Sequence, residues 1–183
     1  MQRAPLGRLL PVLAVVTTAG AAVAAGTTFG PNDVPTVFYI SKSDGVSRVD
    51  YGIRLDEHCA PVGDDAVFPY WRELGLNPVT VHSLKFFEYV PYGFSEQRLV
   101  HRTPAGGTQL LRLKQLDRPI LVIARKEPDG HCSAHAYARI GGVEGAMLAY
   151  VHAHMTGAIS VDYVDIHAQN PQTGADIVER VNR

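Results

Sequence analysis

Apolar and polar residues alternate with a period of two over much of this chain, most clearly between residues 34 and 71. Val49, Tyr51, Ile53 and Leu55 take turns with Arg48, Asp50, Gly52 and Arg54. Successive strand side chains point to opposite faces, so the first set is predicted to face a core and the second to face water. The run at 37–41 is apolar on both faces and rich in β-branched and aromatic residues, as an inner strand would be. Ser43-Asp44-Gly45 joins the two arms, Gly tolerating the positive φ of tight hairpins. The cluster Phe68-Pro69-Tyr70-Trp71 closes the segment and carries the single Trp of the chain.

A loop rich in Gly, Pro and acidic groups covers 56–65. From 80 to 89 the spacing changes. Leu84, Phe87 and Glu88 fall at helical intervals behind Thr80 as cap, predicting one short helix near residues 80–90 that ends at Pro91-Tyr92-Gly93. Residues 97–102 and 108–116 read as strands around a turn at 104–107. Residues 119–125 (PILVIAR) are apolar on both faces and predict a central strand. Asp129-Gly130 turns into 131–140, where Cys132, Ala134, Ala136, Ala138 and Ile140 alternate with His131, Ser133, His135, Tyr137 and Arg139. Gly141-Gly142 leads to 147–155, with Met147, Ala149, Val151, Ala153 and Met155 as the expected apolar face. A strand at 160–167, a turn at Asn170-Pro171 and a short polar end at 175–181 follow. About eight to ten short strands separated by turn residues predict an all-β fold, a single-domain antiparallel β-sandwich or barrel.

The first residues depart from this pattern. Arg3 and Arg8 precede an apolar run, and Ala22-Val23-Ala24 supplies small residues for cleavage, so 1–24 is expected to be a signal peptide and 25–33 a flexible lead-in to a domain at 34–183. An uncleaved anchor is the competing reading, but the apolar run holds only 17 residues with Pro11 among them. Export to the periplasm or the extracellular space follows. Losing the two arginines takes the formal charge from −1 to −3, which with no basic run argues against a nucleic-acid partner. No later apolar run approaches the ~18 residues of a membrane span. Cys59 and Cys132 are the only cysteines. In an oxidising compartment they are expected to pair. Two buried thiols or a redox pair are the alternatives, the latter without a Cys-x-x-Cys spacing.

Several short motifs occur in a telling order: Phe38-Tyr39-Ile40, a polar turn, Val49-Asp50-Tyr51, Phe68-Pro69-Tyr70-Trp71, Glu88 with Tyr92-Gly93, Tyr163-Val164 and Val178-Glu179. In that order they resemble a bacterial family, domain of unknown function 4833, over nearly all of the chain beyond the leader. The pattern departs in two places: Pro69 stands one place closer to the Tyr-Trp pair, and Asp44-Gly45 replaces an Asn-rich turn, so nothing about the turn carries over. The resemblance implies a small exported β-rich domain and implies no activity.

Two constellations could carry chemistry. Tyr51, Tyr70, Trp71, Glu88 and Tyr92 combine aromatic faces with polar tips, which suits a sugar, peptide or other partly apolar ligand in a cleft, oriented by Glu88. The same residues could instead pack a core, with Glu88 capping or pairing with Arg72. His152 and His154 lie two apart on one strand face. With His135 from the preceding arm, and Asp165 or His167 from the following one, they could hold Zn or Cu. The alternative is a solvated face shared with Tyr137, Arg139 and Tyr150. There is no Gly-x-Ser-x-Gly elbow, phosphate loop or glycosidase-like acid pair. The expected function is a non-catalytic envelope module binding a small molecule or an envelope partner without a cofactor. The alternative is a metal-dependent enzyme or metal carrier built on His152 and His154.

Overall fold

A computed structural model describes residues 34–156 and 160–182. The expected leader and lead-in lie outside the described residues. Strands β1 (Thr36–Lys42), β2 (Arg48–Ile53), β3 (Val67–Glu73) and β4 (Thr80–Ser83) come first. A 3-10 turn (Phe86–Glu88) runs into α1 (Tyr89–Tyr92). Then follow β5 (Phe94–Thr103), β6 (Gly106–Leu113), β7 (Leu116–Lys126), β8 (Cys132–Ile140), β9 (Val143–Thr156), β10 (Ser160–Gln169) and β11 (Asp176–Asn182). All eleven belong to one hydrogen-bonded sheet, β4-β3-β2-β1-β9-β8-β7-β6-β5, with β10 on β9 and β11 on β10. The sheet does not close, and the fold is sandwich-like rather than a barrel.

Strand β9 explains how one sheet makes two layers. One of its edges pairs with β10 along most of its length. The other pairs antiparallel with β8 through Ala146 and Leu148, then parallel with β1 from Tyr150 to Ala153. The change falls at Ala149, where β10 opposes His167 to Tyr150 and Ala168 to Leu148, a bulge with one extra residue on β9. That residue reverses the phase of the strand. Ala146 and Leu148 are buried before it, Val151 and Ala153 after it. The expected apolar face is therefore right for Val151 and Ala153 but not for Met147 and Ala149, which face outward. The β1–β9 pair also makes the sheet mixed, where a purely antiparallel one was expected.

The halves β1–β4 and β5–β8 close on a common core: Phe38, Val49, Tyr51, Ile53 and Val67 from one, Leu111, Ile120, Val122 and Ala136 from the other. Fully burying side chains of this size stabilises the fold by about 1.5–3 kcal/mol each. Phe38 and Tyr51 stack at 4.3 Å, and Phe94 meets Tyr51 edge-on at 5.8 Å. The Cys59–Cys132 disulfide ties the β2–β3 connection to β8. The Gln109 amide donates to the Asp64 carbonyl in the same connection.

Other expectations need correction. Of the set predicted to face water on β2, Asp50 is fully buried: Arg48 and Arg72 each donate from Nε to one of its carboxylate oxygens, at 2.7 and 2.5 Å. Gly52 is covered too, since a Cβ there would lie 2.8 Å from Val34 and 3.1 Å from the Tyr70 ring. Strand β7 is one-sided. Ile120, Val122 and Ala124 are buried, but Leu121 and Ile123 are 40% and 42% exposed. The expected short helix is present as the 3-10 turn and α1 over residues 86–92, but Thr80 does not cap it: β4 comes first, and the Thr80 hydroxyl donates to Glu73. Neither the 3-10 turn nor α1 buries a residue, so no apolar stripe holds a longer helix against the core. The polar end at 176–182 is strand β11.

Candidate functional site

The inner face of the β3-β2-β1-β9-β10 layer can be read from its registers. Trp71 lies opposite Val49, Val49 opposite Ile40, and Ile40 beside Val151. One step further Lys42 lies beside Ala153, and Ala153 opposite Val164. Core packing is complete around Tyr51 and Phe38 but stops short of this end of the layer. A cavity of about 620 Å³ remains there. Its floor is Ile40, Val151, Ala153 and Val164, and its walls are Phe87 and Tyr92 from the turn with Leu113 at the end of β6 and Leu116 at the start of β7. Trp71, Lys42 and Glu88 also border a second, polar basin of about 760 Å³ with Asp44, Glu73, His82 and Lys85. The result is one amphipathic cleft, apolar on one side of Trp71 and charged on the other.

Trp71 meets Tyr92 edge-on at 5.5 Å, and the Lys42 ammonium sits 5.8 Å from the indole. The indole Nε1 is buried, and no partner accepts its hydrogen bond among the described residues. Such a donor costs about 1–3 kcal/mol while unsatisfied. Burial pushes the Tyr92 phenol up to about 12, with Asp44 and Glu88 adding to it, so the group stays a neutral hydrogen-bonding tip. Lys42 also lies 3.6 Å from Asp44. The Glu88 carboxylate accepts the Lys85 backbone N–H at 2.6 Å and so caps its own turn. In the basin His82 and Glu73 bond at 3.0 Å, which raises the His82 pKa and lowers that of Glu73.

Of the five aromatic-acidic residues singled out in the sequence, Trp71, Glu88 and Tyr92 line the cleft. Tyr51 and Tyr70 do not. Tyr51 is a core residue whose hydroxyl donates to the Tyr92 carbonyl at 2.8 Å, so it supports the cleft wall from behind. Tyr70 points to the opposite face of β3, its hydroxyl 3.2 Å from Thr36 Oγ1 and accepting from Arg72 at 3.1 Å. Sequence reasoning missed Lys42, Phe87, Leu113 and Leu116. A signal existed for Lys42, which continues the inward alternation of Phe38 and Ile40 with a charge.

The histidines form a different region, on the outer face of the same layer. His152 Nδ1 bonds Ser41 Oγ at 2.9 Å, and burial, with His154 and His167 adding, lowers its pKa. His154 Nε2 bonds Asp165 at 3.0 Å, and Asp165 also accepts two bonds from Arg180, the chief reason its pKa is lowered. Rings stack alongside: His154 on Tyr163, Tyr150 on His167, Tyr39 on Tyr150. His152 and His154 lie 4.7 Å apart, centroid to centroid. His135 is not brought to them. The pairing of β8 with β9 ends at Leu148, and the strand beside His152 is β1. Among the described residues no three His, Cys, Asp or Glu side chains are arranged to hold a metal ion.

Fold and site together define an all-β, sandwich-like domain with an amphipathic cleft at one end of its core. The family described as Domain of unknown function (DUF4833) matches residues 38–180, and the chain belongs to it. Comparison with curated proteins and with solved structures gave no match. Among the described residues no helix is long and apolar enough to cross a membrane.

Proposed function

We propose that this chain is an exported, non-catalytic binding module of the cell envelope, and that it takes an amphipathic small molecule in the Trp71 cleft without a metal or other cofactor. The observation that carries the reading is a cavity of about 620 Å³ with apolar floor and walls, opening past a buried, unpaired indole N–H onto a charged basin. Ligand sites are concave and mostly apolar, with a few placed polar groups that set orientation. Here the apolar body of the ligand lies over Val151 and Ala153. Its polar head accepts from the Trp71 indole and meets Lys42 and Glu88 at the border. The disulfide suits an oxidising compartment, and the leader pattern suits export.

Because Trp71 is the single Trp, its fluorescence reports this cleft alone. Titration with lauric acid, dodecyl maltoside and a short-chain phosphocholine, each below its micelle concentration, should give a saturable emission shift with at least one of them. A rise in melting temperature should accompany it. Unchanged emission with all three would remove the proposal.

A further inference from the structure

The turn between β4 and β5 carries apolar residues that the fold does not use. Phe86 and Phe87 are consecutive and 92% and 66% exposed, and Val90 in α1 is 59% exposed. The fold gains no core packing from them there, and contiguous exposed apolar side chains mark docking surfaces. Two lysines flank them, one of them, Lys85, at the border of the basin that also holds Asp44, Glu73 and Glu88. Lys85 precedes the pair, and Lys114 reaches in from the β6–β7 connection to donate to the Tyr89 carbonyl at 3.2 Å. The turn's own carboxylate, Glu88, is folded back onto the Lys85 backbone N–H.

We propose that this turn docks the protein on a bilayer surface carrying anionic lipid. Phe86, Phe87 and Val90 enter the headgroup boundary, while Lys85 and Lys114 face the lipid charge. Aromatic and aliphatic side chains flanked by lysine are the means by which peripheral proteins lie on a membrane without spanning it. Phe87 also walls the cavity, so docking turns the mouth of the cleft toward the lipid. The docking stands on the turn alone; only the passage of an amphiphile from bilayer to cleft rests on the function proposed above.

The test sediments the mature protein with vesicles of phosphatidylcholine and with vesicles that also contain phosphatidylglycerol. Binding to the anionic vesicles should exceed binding to the neutral ones by about tenfold and weaken in high salt. Phe86→Asp should lower it by at least about tenfold with no change in melting temperature, since an exposed side chain is altered. Lys85→Glu should lower the anionic preference in the same direction. Failure to sediment with either vesicle, or undiminished binding by Phe86→Asp, would overturn the proposal. So would a concentration-dependent dimer that Phe86→Asp dissociates, because the turn would then belong to a second copy. Protein that ignores vesicles yet answers soluble amphiphiles through Trp71 loses the docking and keeps the cleft; the reverse pair of results loses only the cleft.

Discussion

The cleft and the histidine face are two aromatic-rich regions on opposite sides of one layer, and they use their polar groups differently. On the outer face each group has a neighbour: His152 has Ser41, His154 has Asp165, Asp165 has Arg180, and buried Asp50 is held between Arg48 and Arg72. In the cleft a buried indole N–H has no acceptor among the described residues, and an apolar cavity lies beside it. A group whose hydrogen bonds are made within the fold stabilises the fold, and one left open is available to a ligand. Residue type alone does not separate the two cases, since both regions set aromatic rings beside acid and base.

The largest test of this contrast is Asp50→Ala. Removing one member of a buried ion pair costs about 3–5 kcal/mol, and the lower end, about 3 kcal/mol, is expected here because the remaining guanidiniums reach water. Urea unfolding should show the loss, while the response of Trp71 to ligand, on the other side of the sheet, should persist in the folded variant. A destabilisation under about 0.5 kcal/mol, the range of ordinary surface changes, would mean that the outer face contributes little to the fold.

Next in size is Trp71→Phe, which keeps an aromatic ring and deletes the unpaired donor. Removing an unsatisfied buried group offsets the smaller ring, so stability should change by less than about 1 kcal/mol. Affinity for a bound amphiphile should fall about tenfold, the worth of one hydrogen bond to a polar head, as read by calorimetry. A large loss of stability with intact affinity would place Trp71 with the core residues instead.

The smallest effect concerns His152. Its pKa is lowered in the folded protein, so the unfolded chain takes up a proton first and stability falls as pH drops below about 6.5. The fall levels off below the folded value. His152→Gln should remove this pH dependence and change stability at neutral pH by no more than about 0.5 kcal/mol, because the side chain is partly exposed. A variant with the same pH profile between 7 and 5 would assign the dependence to another group.

Much of the fold was legible in the sequence because period-two alternation records one-sided burial directly. β1, β2, β6 and β8 stand close to where the pattern put them, and the two cysteines are joined. What escaped detection depends on distant parts of the chain. Asp50 reads as a solvent-facing residue until Arg72 arrives from β3. The apolar stripe of β9 looks continuous until a bulge, set by its pairing with β10, shifts its phase at Ala149. The cleft was half legible: Trp71, Glu88 and Tyr92 were visible as a cluster, but only the strand registers separate Trp71 on the inner face from Tyr70 on the outer. Phe87 comes from a turn that carries no periodicity to read, and Leu113 and Leu116 stand at strand ends whose meeting with β9 and β10 no local pattern shows.

The parallel pairing of β1 with β9 also sets a timetable. Ser41 meets His152, and Ser43 meets Met155, across 111 and 112 positions of chain. β1 therefore keeps an open edge until β9 has been made. Contacts so distant form late, because the closure entropy of the intervening loop must be met first. Until then that edge can pair with another molecule, and chains cut short before β9 should aggregate rather than fold. For a protein that crosses a membrane as an extended thread, as we propose, the same delay is an advantage. The fastener, β9, arrives late, so β1 to β4 stay unfastened until it has passed through.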